Sequence, residues 1–454
     1  MIELERCAPR RRERTAAAWN LSSEIVLISA GDRLTIPGRG DQTYPYQAHS
    51  EYFYLAGRDL PGAVLAFDPQ EGWTDFVPEV TQKARVWTGE TQAEGTPRSQ
   101  LTGWLAEREG RPIAVLGSPL PELEAGEDKD RESQDREPDG GKPLAVDADT
   151  ELREHLHHQL LAVRRPKEPL ELELMRRAER ATAAGFARVR ELLRPGVSER
   201  RVQIEIEAEF FRHGGHTTAY DTIVGFGSNA AVLHFSPTER ALQDGELILI
   251  DAGAEVHGYA CDVTRTYPCH GGTFSPEQRD LYDVVLATQE RAIARCRQGV
   301  EFTEIHLTAV YELTRGLVDF GLLRGAPDSL VEQEAHELFF PHGIGHMVGL
   351  GVRDCSGALP GRKQSKRPGL RKLKMNLPLD AGFVVTIEPG VYLVPALLDD
   401  PDNRRKHRHN IAWDLADRLR DLGGIRIEDN VLVTDGEPEV LTADIPKRLD
   451  EALS

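Results

Sequence analysis

IDAGAEVHGYACDVTRT, residues 250–266, decides how this chain is read. An apolar run leads into Asp251, the chain passes through EVHG at 255–258, and it returns past a second aspartate, Asp262. Strands are poor places for aspartate. A hairpin centred between Val256 and His257 would set Asp251 and Asp262 directly opposite each other. Their Cβ atoms would then lie about 4.5–5.5 Å apart on one face, where like charges repel. A shared proton, an arginine or a divalent cation would each offset that repulsion.

Three further stretches place acids or histidines where core residues would be simpler. PHGIGHMVG (341–349) carries His342 and His346 four apart. Its glycines argue against a regular helix and suit a loop whose backbone approaches a site closely. FVVTIEPG (383–390) ends an apolar run in Glu388, just before a Pro-Gly turn. IRIEDNVLV (425–433) puts Glu428 on a strand face with Arg426. Alone, a strand-end glutamate is usually exposed and an HxxxH pair is usually chance. Together they gather four carboxylates in apolar or glycine-rich settings, and burying those unpaired would be prohibitive. Two divalent cations resolve the conflict. Oxygen-rich ligation with one imidazole suits Mn, Co, Fe or Zn better than a thiolate-loving ion. Two ions about 3.5–4 Å apart can activate a shared water toward a carbonyl. Hydrolysis is therefore the first reaction class expected.

The bulk numbers frame this reading. A length of 454 residues exceeds one ordinary core and implies two domains. Forty per cent hydrophobic residues and a mean hydropathy of -0.42 suit a soluble globular protein. A net charge of -19 disfavours nucleic acid as a partner, because phosphate binding calls for a basic surface. Five irregularly spaced cysteines without a CxxC exclude a disulfide framework or zinc ribbon and fit reduced thiols in a cytoplasm. The first residues lack the apolar core of a secretory signal. No run approaches eighteen apolar residues, so no membrane span is expected.

Along the chain, SEIVLISAG (23–31), GAVLAFD (62–68) and PIAVLGS (112–118) read as buried strands of a small α/β domain. Residues 120–143 are dense in charge, Gly and Pro and read as a solvated loop. Leu170, Leu174, Ala178 and Ala181 recur at helical spacing until Pro195-Gly196, and Ser198 is a plausible cap for a second helix. The domain boundary is placed near residue 165, giving an N-terminal noncatalytic domain over 1–165 and a catalytic domain over 166–454. Strands over 220–268, helices over 275–299 and 301–321, and strands again near 383–388 and 425–433 make the second domain α+β with an antiparallel sheet. The charged stretch 397–424 reads as a surface helical insertion, with His407 and His409 on a solvated face. GFGSN (225–229) lacks the strand–loop–helix context of a dinucleotide site and reads as a turn. Cys261 points away from Asp262 by strand alternation and reads as core. His213 and His216 flank a Gly-Gly helix end and read as capping or surface groups.

Asp251, Asp262, His346, Glu388 and Glu428, set in DVTRT, HGIGH, EPG and RIED, resemble the pita-bread metallopeptidases of family M24. Within it they are similar to the aminopeptidase P and prolidase branch, which cleaves Xaa-Pro bonds. YPYQAHSEYFYLAG (44–57) is similar to the creatinase-like N-terminal α/β domain of that branch. The resemblance implies that Asp251, Asp262 and Glu428 hold one metal or bridge both, and that Asp262, His346, Glu388 and Glu428 serve the second. Manganese is the first choice of ion, with Co, Fe and Zn open. Glu388 would also move a proton between the water and the leaving imino group. His234 would lie near the substrate, and His342 would stabilise charge developing on the carbonyl. Arg426 would hold ligands in place, and Tyr259 would line the substrate site. Proline-containing peptides are the implied partners. A homodimer or homotetramer is implied too, because the N-terminal domain often closes a neighbour's site. A dipeptide-restricted prolidase is the close alternative, and a pita-bread protein serving only as a binding module is the rival of a different class.

One position departs from the pattern. Where relatives commonly read Val-His-Asp after the HGIGH stretch, this chain reads Val352-Arg353-Asp354. An arginine is permanently charged and can fork onto a carboxylate. Arg353 therefore either binds the free C-terminal carboxylate of a short substrate or pairs with Asp354.

Overall fold

Ile25, Val26, Leu27 and Ile28 are all fully buried in the computed structural model, so the strand Ile25–Ser29 is covered on both faces. The structure describes residues 2–120, 149–269 and 274–448. The acidic stretch beyond Leu120 and up to residue 148 lies outside them. The chain divides into two compact units, Met1–Arg164 and Arg165–Ser454.

The first unit is built on a five-stranded mixed sheet. Its order is Thr96–Pro97, Gly72–Val77, Val64–Asp68, Ile25–Ser29, Ile113–Gly117. The central strand runs antiparallel to Val64–Asp68 and parallel to Ile113–Gly117. Continuous apolar runs are what a doubly covered strand needs. Leu27, Ala66, Phe76, Leu101 and Leu105 form its core cluster, each large member worth roughly 1.5–3 kcal/mol of burial. The Gly72–Val77 strand escapes a reading by hydrophobicity because GWTDFV mixes polar and apolar residues and is half-buried.

The second unit opens with the helix Pro169–Arg190, which buries Leu174, Ala178 and Ala181 as their spacing requires. Glu171 Oε2 accepts the Glu168 N–H at 2.9 Å, half of a capping box. The second helix, Glu199–Arg212, starts where Ser198 Oγ accepts the Arg201 N–H. Helices Pro276–Ala294 and Phe302–Asp319 pack together further on. The strands are short and form several small sheets. One has the order Val263–Pro268, Leu247–Ala252, Ile223–Phe226, and another the order Val384–Ile387, Asp429–Leu432, Glu439–Val440. Their pairings are antiparallel, as expected. Among the described residues no helix is long and apolar enough to cross a membrane.

The 397–424 insertion is helical, in short pieces that include Pro401–Lys406 and Trp413–Arg418. His409 is exposed, but His407 is 3% exposed, against the expectation of a solvated face. It caps the Pro401–Lys406 helix, and its carbonyl accepts the Ile411 N–H at 3.2 Å.

Candidate metal centre

The hairpin register differs from the expected one. Asp251 pairs with Thr264, not Asp262, and Val256 pairs with Tyr259. The turn is His257-Gly258, with φ of 52° and 85°, so it closes one residue later than a turn centred between Val256 and His257. Two successive positive-φ residues are what a two-residue hairpin of the right twist requires. Asp262 becomes the diagonal neighbour of Asp251 on the same face. Its backbone is taken up elsewhere: the N–H donates to Asn430 Oδ1 at 3.0 Å and the carbonyl accepts from Asn430 Nδ2 at 2.7 Å.

Thr264 completes a row. It faces Asp251 on one side and bridges to Glu428 on the other, and its hydroxyl donates to Glu428 Oε2 at 2.7 Å. The row Asp251–Thr264–Glu428 thus crosses three neighbouring segments. Behind it Arg265, 1% exposed, donates to the carbonyls of Glu428 (2.7 Å) and Ile445 (2.6 Å) and to Asp429 Oδ1 (2.7 Å).

The HGIGH loop runs antiparallel to the Val384–Ile387 strand. Thr386 N–H donates to the His346 carbonyl at 2.8 Å, and Glu388 N–H to the Ile344 carbonyl at 2.9 Å. A Cβ on Gly345 would sit 1.9 Å from the Thr386 carbonyl oxygen, so only glycine allows this approach. The pairing puts His346 and Glu388 on one side. His346 Nε2 lies 3.5 Å from Asp262 Oδ2 and 3.7 Å from Glu388 Oε1. Its Nδ1 donates to the Met347 carbonyl at 3.0 Å, the tautomer assigned from that bond, which leaves the Nε2 lone pair aimed at the carboxylates.

Donor atoms of Asp262, His346 and Glu428 all lie within 4.8 Å of one another, and all three residues are buried. Burial, with Asp251 and Glu388 close by, pushes the Asp262 carboxyl well above its ordinary range. Glu428 is pushed the same way by burial, then by Asp262, Glu388 and Asp251. Glu388 rises to about 7, chiefly through burial, with Arg426 opposing. Carboxylates this close cannot all remain ionised on the strength of one arginine. A divalent cation would supply the missing charge, and oxygen donors with one free imidazole nitrogen fit such an ion.

The Arg426 guanidinium organises the other side. It donates to Asp251 Oδ2 (2.6 Å), Thr264 Oγ1 (2.9 Å) and Tyr392 OH (3.0 Å). Tyr220 OH donates to Asp251 Oδ1 at 2.6 Å. His342 is fully engaged: Nδ1 donates to the Gly343 carbonyl at 2.8 Å, and Nε2 accepts from Tyr392 OH at 2.9 Å. Burial holds this ring neutral, with a pKa down at about 3. His342 therefore has no spare N–H to offer an oxyanion in this arrangement, contrary to the expected role.

A cavity of about 960 Å³ opens onto the cluster, lined among others by Tyr220, His234, His342, Arg353 and Glu388. That is ample for a peptide. His234 is exposed in the cavity on the loop after GFGSN. Buried Glu199 holds this loop, accepting from Phe226 N–H (3.0 Å), Asn229 Nδ2 (2.8 Å) and Thr238 Oγ1 (2.6 Å). The GFGSN stretch is not the simple turn expected: Gly225 and Phe226 end the strand Ile223–Phe226, and Gly227 opens the 3-10 helix Gly227–Ala231.

Tyr259 is not in the cavity lining. It is fully buried, and its hydroxyl donates to Glu171 Oε1 at 3.0 Å. Strand alternation explains the correction: Tyr259 and Asp262 are three apart and face opposite ways. Cys261 is core, as expected, and none of the five cysteines is in a disulfide. His213 donates from Nδ1 to the Glu209 carbonyl of its own helix, and His216 Nδ1 accepts the His257 N–H. Sequence reasoning missed Tyr220, Thr264, Tyr392 and Asn430. Thr264 carried a signal, since it shares the face of Asp262 two residues on. The other three are joined to the site only by the fold.

Comparison with known proteins agrees with this geometry. The model of metallopeptidase family M24 matches residues 173–435, and that of the aminopeptidase P N-terminal domain matches residues 8–99. The chain is 31% identical to the Xaa-Pro aminopeptidase of Escherichia coli K12, covering 99% of this chain and 98% of the relative. It is also 31% identical to the Xaa-Pro aminopeptidase of Haemophilus influenzae, over 97% and 94%. Among solved structures, aminopeptidase PepP of Pseudomonas aeruginosa superposes with a TM-score of 0.77 at 29% identity, covering 98% of this chain and 97% of that one. Aminopeptidase P of E. coli with the inhibitor Pro-Leu superposes with a TM-score of 0.76 at 29% identity, over 98% and 97%.

Proposed function

Since the chain belongs to metallopeptidase family M24, we propose that it is an Xaa-Pro aminopeptidase, a metal-dependent hydrolase that releases the N-terminal residue before proline. The observation that carries this reading is the buried cluster of Asp262, His346 and Glu428 at the foot of the cavity, with Glu388 beside it. The match to the aminopeptidase P N-terminal domain favours an aminopeptidase over a prolidase. Five intact ligand positions argue against a binding module without catalysis.

Asp251, Asp262, His346, Glu388 and Glu428 would hold two divalent ions, manganese first, with Co, Fe and Zn suited to the same donors. When bound, the ions supply a Lewis acid and a water of lowered pKa. Glu388 lines the cavity beside His346, where it would take a proton from water and return it to the leaving nitrogen. Arg426 and Thr264 position Asp251 and Glu428. Exposed His234 meets the substrate, and neutral His342 shapes the wall through Tyr392.

The working form is a homodimer or homotetramer in the cytoplasm. Five cysteines outside any disulfide support the compartment. In the N-terminal unit, Leu34, Tyr44, Val86 and Trp87 are exposed, and Arg33 reaches Glu90 at 3.6 Å between the two segments that carry them. Apolar side chains gathered at a surface suit a subunit contact.

Ala-Pro, Ala-Pro-Gly and a longer Xaa-Pro peptide, assayed together with added manganese, test the activity. Release of the first residue from Ala-Pro-Gly and the longer peptide is expected. Cleavage of Ala-Pro alone would make it a prolidase, and no cleavage with no bound metal would make it a binding module.

A further inference from the structure

Asp354 is already taken: the Lys167 ammonium lies 2.9 Å from its Oδ2, with both side chains buried. That removes the pairing between Arg353 and its neighbour. Asp354 N–H donates to the Met347 carbonyl at 3.2 Å, and Arg165 Nε donates to the Cys355 carbonyl at 3.0 Å, so the backbone on the C-terminal side of Arg353 is held. On the N-terminal side Gly351 N–H donates to the Gly258 carbonyl at 2.7 Å. Between these ties Arg353 stands exposed in the cavity lining. Among the described residues its guanidinium has no hydrogen bond or ion pair. Its charge nevertheless acts on both Glu388 and His346, so it stands close to the reacting end.

The rest of the lining has the same sign. Arg200, Arg371, Lys372 and Lys374 also face the cavity, and Asp221 is the one acid among the lining residues outside the ligand set. Lys372 is shared with Glu337 at 3.4 Å. A basic lip on a chain of net charge -19 is a local field that draws in an anion.

Resting on the aminopeptidase reading, we propose that Arg353 grips the free C-terminal carboxylate of short substrates, so that di- and tripeptides are preferred over longer chains. A guanidinium meets a carboxylate with two parallel N–H donors, a geometry an imidazole cannot reproduce. A longer peptide carries its terminal charge past this point and leaves Arg353 unsatisfied.

The test compares Ala-Pro-Gly with Ala-Pro-Gly-amide and with an uncharged nonapeptide of the same N-terminus. The variants are Arg353→Ala, Arg353→His and Arg353→Lys. For the wild type, kcat/KM on the acid should exceed that on the amide by roughly 10- to 100-fold. In Arg353→Ala the ratio should fall to within about twofold, with Arg353→Lys between. Calorimetry with Pro-Gly and Pro-Gly-amide should show the same preference in binding. A wild-type ratio near one overturns the proposal without any variant, and so does a ratio unchanged in Arg353→Ala. Restored turnover of the amide series by an acidic third residue also overturns it, since a side chain would then be the true ligand. Wild-type cleavage of the amides keeps the peptidase reading standing even when discrimination fails. No turnover of any substrate by metal-loaded protein overturns both.

Discussion

The Arg426 guanidinium is joined to the Asp251 carboxylate at 2.6 Å, and the same group reaches Glu428 through the hydroxyl of Thr264. One buried cation thus aims two carboxylates that lie far apart in sequence. Lysine has one charged nitrogen where arginine has a fork, so it cannot hold Asp251, Thr264 and Tyr392 together. Arg426→Lys should weaken manganese binding roughly 10- to 100-fold while leaving the helical content intact. Metal titration by calorimetry, with circular dichroism alongside, checks this. Unchanged affinity would mean that Arg426 only balances charge.

Removing a ligand should help the metal-free protein and harm the metal-loaded one. Glu428 shares its buried setting with Asp262, Asp251 and Glu388. Glu428→Gln takes away one of the crowded charges. In chelator its Tm should rise by a few degrees over wild type, on the order of 1 kcal/mol. With manganese added, wild type should gain several degrees and the variant little. Equal metal-induced gains in both proteins would remove Glu428 from the ligand set.

Glu179 is 6% exposed, and burial pushes its carboxyl up to about 8 from an ordinary 4.5. Arg176 and Arg180 pull it down, while Glu439 and Asp444 push it up. The unfolded chain ionises this group above about 4.5 and the folded chain does not. Its contribution is therefore fully present below 4.5 and is lost as pH rises toward 8. Glu179→Gln should be more stable than wild type at pH 8 by on the order of 1–3 kcal/mol, with no difference at pH 4. Urea midpoints at the two pH values test it, and a pH-independent difference would refute the shift.

Buried histidines set the acid limit. Burial lowers His306 to about 4 and His336 to about 3, with Arg367 and Lys372 acting on both, and with His306 and His407 also acting on His336. Below 6.5 the unfolded chain takes up protons that these rings refuse. The stability they contribute is present above 6.5 and is lost as pH falls toward 4. Wild type should lose several kcal/mol between pH 6.5 and 4, and His306→Gln should lose on the order of 1–3 kcal/mol less over the same interval. Parallel pH profiles for the two proteins would contradict this.

The candidate ligands were legible because each acid stood where its surroundings gave a carboxylate no reason to be. Asp251 closed an apolar strand, Glu388 preceded Pro-Gly, and His346 followed two glycines. The partner across the hairpin was not legible. A period of two assigns faces, whereas register depends on which turn residues take positive φ, and here those were His257 and Gly258. Tyr259 is misplaced for another reason: the family resemblance gives it a substrate role, whereas here its side chain is buried against Glu171. Tyr220, Tyr392 and Asn430 meet the site across 30 to 170 positions of chain, about as far as any local pattern can fail to reach.

Arg265 spends its donors on the carbonyls of Glu428 and Ile445 and on Asp429. The segment around Ile445 is in this way stitched to the back wall of the candidate metal site, although among the described residues it lines neither the cluster nor the cavity. Trimming the protein before Ile445, or fusing a partner that tugs on that segment, would therefore be felt first as a slackened grip on metal.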